Sequence, residues 1–462
     1  MPTDLIIIGG GAAGLFAAGL AAANGLAAVL LERRHRCGLK ILLSGNNRCN
    51  FSHAGTAEQL RNAYGGEIGA FLEPALRGLP PEKLRRILSE MGLESIVSGG
   101  RLYPATGKAD DVLHTLLDRL RDGCVPLVTN CPVTSLRQDG TEWQVECPAL
   151  ALRAPAVLLC TGGFSFPKTG SVGDGELFAR RLGLRFVPPR PGLAGQELGR
   201  NDSLARFSAQ QTMTLDDVIV AAEGVGVPAC RGNLIADRGL LRGSAVYDLN
   251  RLAAHRNVEC ENLLVDFFPG LKLNALEQRL NGLAGGSQAS AARLLGSLGL
   301  PPAWAHWLAE NGTLTAAMLK AFPLRHTRCR PLKEAIVTVG GLAREEFDPA
   351  TMGAVRFPGL YAAGEVLDID GPTGGYNLHA AFATAKLAVE AVAARLGRTA
   401  GGTAGTQRHC TAQGSPEGDG APAAARCEQK PLRKSAGAPK NAKSAWGSHF
   451  WDERKGRQGR RS

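Results

Sequence analysis

The chain has 462 residues, with 53 lysines and arginines against 42 aspartates and glutamates, a formal net charge of +11. That length calls for two or three domains, and 59 glycines with 5% aromatics fit an α/β protein rich in glycine turns better than a β-sandwich. From Gly401 onward stand about 12 basic and 5 acidic residues, so roughly +7 lies in the tail and the body is not a strongly basic nucleic-acid surface.

The first 31 residues set the frame. Leu5 to Leu31 lacks any charge and is long enough to pose as a membrane span, but Asp4 precedes it, no basic n-region is present and a glycine cluster at Gly9, Gly10, Gly11 and Gly14 interrupts it. No membrane association is expected. DLIIIGGGAAGLFAAGLAAANGLAAVLLERR parses instead as a buried strand (Leu5 to Ile8), a glycine turn, a helix to about Asn24 and a second strand ending at Glu32. Within this βαβ unit a G-x-G-x-x-G pattern falls at Gly9, Gly11 and Gly14. Gly9 permits the tight turn, Gly11 lets backbone approach a pyrophosphate, and Gly14 lets helix pack on strand. The diphosphate would sit on the helix N-terminus, with Ala13 in its first turn, and Glu32 is placed to bind a ribose diol. This fingerprint alone does not choose between FAD and NAD.

Next comes CGLKILLSGNNRCNFS, which puts Lys40, Ser44, Gly45, Asn46, Asn47, Arg48, Cys49 and Asn50 in one polar cluster. A reactive cysteine, a surface turn and a ligand-holding loop compete as explanations. The eleven cysteines show no C-x-x-C and no zinc spacing, so they read as reduced thiols of a cytoplasmic protein, without a metal site. RLYPATGK follows at Arg101, with Tyr103 and Lys108 as substrate-side candidates. The apolar strand Ala156 to Cys160 runs into Thr161, Gly162 and Gly163. Gly173, Asp174 and Gly175 open a helix, with Asp174 as its cap or near-cap.

Between Pro188 and Phe322 the pattern changes. Leu215 to Ala222, Gly232 to Ala236, Ser244 to Leu249 and Leu263 to Phe268 read as short strands. From Leu271 to Phe322 alanine and leucine recur at helical spacing, broken at Gly285-Gly286 and Pro301-Pro302. Further on, VTVGGL precedes PGLYAAGEVLDIDGPTGGYNLHAAFATAKLA: a strand ending at Gly364 and Glu365, a glycine-rich loop from Gly371 to Asn377, and a helix from Leu378 to Leu396. Beyond Thr399 the composition predicts a disordered basic tail in which Trp446, Phe450 and Trp451 could touch RNA.

Four separated motifs in this order resemble a bacterial family of FAD-dependent NAD(P)/FAD oxidoreductases that includes aminoacetone-oxidase-like and bile-acid-reductase-like flavoproteins. The likeness runs from about Pro2 to Leu396. It implies a discontinuous Rossmann-like α/β FAD-binding domain (1–187 and 323–397), an inserted β-barrel-like domain with a small helical cap (188–322), and a tail (398–462). The resemblance brings Thr161, Gly162 and Gly163 close to FAD, and places Gly364 and Glu365 beside its ribityl chain and diphosphate. Gly374, Gly375, Asn377 and Leu378 fall at the pyrimidine edge of the flavin. Lys40 and the Ser44 to Asn50 loop then pass from the ribose side toward the isoalloxazine, with Cys49 a packed thiol. The sequence departs from the family on the substrate side, at DRGLLRGSAVYDL and at Gly353-Ala354-Val355, so FAD carries over and the substrate does not.

The resulting expectation is a soluble flavoenzyme that relays a hydride through flavin N5 between a reductant, NAD(P)H, and a small organic substrate or oxygen. Arg48, Tyr376 and His379 are the acid–base candidates, and His326 reads as a surface residue. TGGFSFPKTGSVGDG also resembles fumarate-reductase and ketosteroid-dehydrogenase flavoproteins, which would imply a carbon–carbon double bond as substrate. A flavin-loaded module that associates with RNA through its tail is the third reading; otherwise no nucleic-acid partner is expected.

Overall fold

A computed structural model describes residues 2–148, 150–199, 202–281, 288–311 and 314–398. The expectations for the tail and for Gly285-Gly286 lie outside the described residues. At the centre is a five-stranded parallel sheet ordered Leu360–Ala362, Ala156–Leu159, Leu5–Ile8, Ala28–Leu31 and Leu127–Val128. Leu5–Ile8, Ala28–Leu31 and Ala156–Leu159 are buried along their whole length, which is why each reads as an unbroken apolar run rather than an alternation. From the central strand the chain moves first to one side, through helix Ala12–Ala23, and later to the other. A crevice therefore opens beyond the carboxyl ends of Leu5–Ile8 and Ala156–Leu159, at the reversal point.

Helix Tyr376–Arg395 begins two residues earlier than its apolar spacing suggests and packs across Ala12–Ala23, with the rings of Phe16 and Phe382 5.0 Å apart. A second, antiparallel sheet of seven strands runs from Gln196–Glu197 to Arg328–Cys329, past residue 322, and carries its own core around Trp304, Trp307, Phe267 and Phe322. The chain enters and leaves this region through Phe186–Gly192 and Val337–Leu342, which pair with each other. No helix among the described residues is long and apolar enough to cross a membrane.

Two local expectations are corrected and one is narrowed. Ser244 to Leu249 is not a strand but the start of helix Ser244–Arg256. Its first six residues mimic alternation, yet Ala245, Val246, Leu249 and Ala253 are buried at helical spacing, and Gly243 at φ 108° makes the entry turn. Asp174 is a near-cap and not the cap: Gly173 takes the N-cap position, Asp174 is the first helical residue, and its carboxylate accepts from Arg33 at 2.7 and 2.8 Å. The cysteines are not all reduced thiols, because the Ser135–Asp139 and Glu142–Cys147 hairpin brings Cys147 to Cys131 in a disulfide with the Cα atoms 5.9 Å apart.

Helix Ser244–Arg256 joins the two sheets through charge. Arg251 Nε donates to the carboxylate of Asp370, Arg251 Nη2 donates to the Asp370 carbonyl at 3.1 Å, and His255 Nε2 lies 3.0 Å from the same carboxylate. One turn earlier, Asp248 accepts from the Thr373 backbone N–H at 2.7 Å and its hydroxyl at 2.9 Å. The Arg251 and Asp370 side chains are 6% and 0% exposed, so each neutralises a charge that water cannot reach. Arg251→Ala should lower unfolding free energy in urea by about 3–5 kcal/mol, because Asp370 is then left as a buried carboxylate beside His255 alone.

Candidate active site

The glycine turn sits at the mouth of the crevice. At Gly9, φ is 107° and an added Cβ would stand 2.4 Å from the Cys160 carbonyl oxygen; at Gly14 it would stand 1.9 Å from the Gly9 carbonyl oxygen. At Gly11 it would meet nothing within 4 Å. Gly9 and Gly14 are thus consumed by internal packing, while Gly11 faces open space beside the first turn of helix Ala12–Ala23, where Ala13 is buried. No side chain caps that helix, so its first N–H groups point at the space. Glu32 follows strand Ala28–Leu31 and is 7% exposed; it accepts from the N–H of Gly10 and of Arg34, each at 2.7 Å. Burial pushes its pKa up, against the pull of those two N–H groups.

The other cofactor candidates fall into three groups around this turn. Lys40 Nζ donates to Ser165 Oγ at 2.5 Å and Glu365 Oε2 at 2.7 Å, while Glu365 Oε1 accepts from Ser165 Oγ at 2.9 Å and the Thr338 N–H at 2.8 Å. Gly163 presses on this cluster, since a Cβ there would be 2.5 Å from Thr338 Oγ1. Thr161 and Gly162 line the strand end, with Gly162 at φ 70°. Gly364, at φ 75°, is wedged between Ala13 and Ala381 and donates to Thr384 Oγ1 at 3.0 Å, so it lets two helices close on the strand.

The Ser44 to Asn50 loop is left-handed at Gly45, Asn46, Asn47 and Cys49. Asparagine and glycine tolerate that conformation; cysteine does so rarely, and here the tertiary fold imposes it. Cys49 is fully buried and its pKa is pushed up to about 12 by desolvation, in keeping with a packed thiol. Ser44 Oγ donates to the Ile41 carbonyl at 2.6 Å. Arg48 is exposed and lies over the Tyr103 ring, 4.8 Å from its centroid.

Opposite this loop, Asn377 staples the glycine-rich segment, accepting from the Gly371 N–H at 2.8 Å and donating to its carbonyl at 2.9 Å. Leu378 is half-buried in the first turn of the helix. Gly374 and Gly375 have φ 121° and 96°, and a Cβ on Gly375 would stand 2.4 Å from the Ser52 carbonyl oxygen. Asn50 Oδ1 and Thr161 Oγ1, both buried, have no partner among the described residues. Asn50 Oδ1 stands beside Gly375 and Thr161 beside Gly9 at the strand end, and a ligand bound there would complete both.

The acid–base candidates separate. His379 is 0% exposed, with Nδ1 2.8 Å from Ser52 Oγ and Nε2 2.9 Å from the Leu79 carbonyl oxygen, so both ring nitrogens are engaged and neither reaches substrate. Burial holds its pKa down to about 4. Tyr376 is half-buried; its carbonyl accepts from Tyr64, while its hydroxyl has no partner among the described residues. Burial, then the Asp248 charge, push its pKa up, which keeps it a neutral phenol. Around it stand groups that sequence reasoning passed over. The His53 ring lies 4.9 Å from the Tyr376 ring, its Nδ1 hydrogen-bonded to the Gly100 carbonyl, and Arg101 and Asp248 lie close enough to act on Tyr376 electrostatically. Tyr103 and Lys108 are the sequence's candidates in RLYPATGK; nothing local in Arg101 or His53 reports that a loop from the far end of the chain folds over them.

Space for a diphosphate over Gly11, at the reversal point of a parallel sheet, puts the molecule among the Rossmann-type dinucleotide-binding proteins. Within that class the chain belongs to the family described as HI0933-like protein Rossmann domain, which it matches over residues 3–391. It is 28% identical over 400 residues to the ribosomal RNA dihydrouridine synthase of Escherichia coli, spanning 83% of this chain and 96% of that one. It is equally 28% identical over 412 residues to the 3-dehydro-bile acid delta(4,6)-reductase of Clostridium scindens, spanning 84% and 98%. Among solved structures it resembles a flavocytochrome c3 fumarate reductase (TM-score 0.44, 18% identity, 85% of this chain and 78% of that one). It also resembles the 3-ketosteroid delta1-dehydrogenase of Sterolibacterium denitrificans (TM-score 0.46, 14% identity, 85% and 99%). The protein is a flavoprotein oxidoreductase.

Two measurements check the site. Gly11→Val should fold with native stability and purify without FAD, whereas Gly14→Ala, which drives a methyl into backbone, should lose about 3 kcal/mol of stability in denaturant titration. Since the native imidazole of His379 refuses a proton below its ordinary 6.5 until about 4, the unfolded chain binds more protons in that window. Stability should therefore be full above pH 6.5 and fall toward pH 4 by on the order of 3 kcal/mol, a slope that His379→Gln flattens.

Proposed function

We propose that the protein reduces a carbon–carbon double bond conjugated to a carbonyl, with a uridine of ribosomal RNA as substrate and NAD(P)H as reductant. The carrying observation is that one relative named for a ribosomal RNA nucleoside and one named for a bile acid match this chain at the same identity, over nearly their whole lengths. Dihydrouridine is uridine with two hydrogens added across C5–C6, a bond conjugated to the C4 carbonyl. A 3-oxo-4,6-diene carries the same grouping in a steroid. One reaction serves both: hydride to the carbon β to the carbonyl, proton to the α carbon.

The chemistry that FAD would supply, when bound in the crevice, is hydride transfer. This chain's residues do the remainder. The glycine turn and helix N-terminus would hold the diphosphate and Glu32 the ribose; the Lys40, Ser165 and Glu365 cluster braces the strand ends, and the Asn377 staple fixes the glycine-rich loop that would meet the flavin. Tyr376, a neutral phenol with a free hydroxyl, gives the proton. Uridine is favoured over a steroid by the surroundings of Tyr376, where Arg101 and His53 offer polar groups suited to a nucleobase edge. An enzyme that reads one base needs a local polar pocket more than a basic body.

The test is anaerobic. Ribosomal RNA from cells lacking the gene is mixed with holoenzyme and NADH or NADPH, and its nucleosides are read by mass spectrometry. One uridine should gain two hydrogens, and Tyr376→Phe should lower the rate about 10²-fold while leaving NAD(P)H bleaching of the flavin unchanged. Consumption of a 3-oxo-4,6-diene bile acid with RNA untouched would move the substrate to a steroid; failure of both to reoxidise the reduced enzyme would sink the reading.

A further inference from the structure

Arg101 opens strand Arg101–Pro104, which pairs with Ser52–His53 on one side and Ser95–Ser98 on the other. It is half-buried, yet its guanidinium has no hydrogen-bond or ion-pair partner among the described residues. Arg251, Arg330 and Arg344, comparably or more deeply placed, each close on a carboxylate. A guanidinium that no carboxylate or carbonyl of the described residues engages keeps its N–H groups for an acceptor that a ligand brings.

Its surroundings say which ligand. A methyl built on Gly374 would stand 3.8 Å from Arg101 Nε and 3.4 Å from the Tyr376 ring, so guanidinium and phenol flank the same glycine of the loop. The charge of Arg101 helps hold His53 neutral and acts on Asp248 and Tyr376. Two residues along the strand, Tyr103 carries the Arg48 guanidinium over its ring, a flat cationic surface on the same hairpin.

We infer that Arg101 is a catalytic residue that binds the carbonyl oxygen of the conjugated substrate, opposite the proton donor Tyr376. When a hydride adds to the carbon β to the carbonyl, the electron pair of the double bond shifts and negative charge grows on that oxygen. Two guanidinium N–H groups stabilise it there, and the charge returns to the α carbon as it takes a proton from Tyr376, whose phenolate regains a proton from water. Hydride and proton together account for the two hydrogens gained. A donor aimed at the carbonyl selects α,β-unsaturated carbonyl compounds over isolated alkenes, whichever ring carries them. The inference rests on the proposed reduction of a conjugated bond but not on uridine being the substrate.

The experiment uses full-length holoenzyme with Arg101→Gln and Arg101→Lys. Uridine 5′-monophosphate and a 3-oxo-4,6-diene bile acid are titrated into the oxidised proteins while the flavin absorbance is followed, and turnover is measured on whichever substrate the native enzyme reduces. Arg101→Gln should lose the carbonyl-induced spectral shift and drop kcat/KM about 10²-fold or more, with FAD retention and NAD(P)H bleaching unchanged, and Arg101→Lys should recover part of both. If RNA is not modified but the diene shifts the spectrum and the glutamine variant abolishes the shift, uridine is wrong and Arg101 stands. The assignment is overturned if Arg101→Gln keeps kcat/KM within about threefold, if it loses FAD, or if neither carbonyl probe perturbs the native flavin.

Discussion

Backbone touching backbone at the end of the central strand is the constraint on which the rest of the molecule depends. Helix Ala12–Ala23 starts so close to strand Leu5–Ile8 that the Gly9 carbonyl occupies the place of a Gly14 side chain, and Gly9 itself abuts the Cys160 carbonyl. That closeness aims the uncapped helix terminus into the crevice rather than at solvent, and brings Glu32 within reach of the Gly10 N–H. With the turn so tight, the space above Gly11 is the only part of the motif left for a ligand's phosphates. Lengthening the contact by one methyl would turn the positive end of the helix away from the charge it exists to meet.

Around that fixed point the site is held by pairs that bridge distant parts of the chain. Lys40 meets Glu365, Asp248 meets Thr373, and Arg251 meets Asp370. The last two arise from one face of helix Ser244–Arg256, so the antiparallel sheet region and the glycine-rich loop are tied by buried charge. A change in that helix is therefore felt at the loop beside Tyr376. Polar pairing of this kind is specific in geometry, since a buried carboxylate shifted from its guanidinium loses far more than an apolar contact would.

Much of this was legible before any coordinates. LIII, AVLL and LYA read as buried strands because parallel strands covered on both faces need no alternation, and GGGAAG reads as a phosphate turn because each glycine has a separate steric reason. What escaped was whatever depends on neighbours remote in sequence. Ser244 to Leu249 passes for a strand until the residues to Arg256 restore the helical period. Cys131 and Cys147 carry no recognisable spacing because a hairpin, not a motif, unites them. His379 has the right chemistry for catalysis and sits next to the right loop, but the elements carrying Ser52 and Leu79 bury it. Arg101 is the converse: an ordinary residue at the head of a short strand, whose importance comes from Gly374 and Tyr376 settling over it.

The parallel sheet also has a history during synthesis. Strand Ala156–Leu159 has one partner, Leu5–Ile8, that precedes it in the chain, but its other edge waits for Leu360–Ala362, about 200 residues later. At about 5–20 residues per second the ribosome leaves that edge open for roughly 10–40 s. An apolar strand with free N–H and C=O groups is a template for pairing with other chains, so for that interval the nascent protein carries a hazard of misassembly. The antiparallel sheet and its helices emerge within the same interval, and the Val337–Leu342 strand that follows them leads the closing segment back toward the waiting edge.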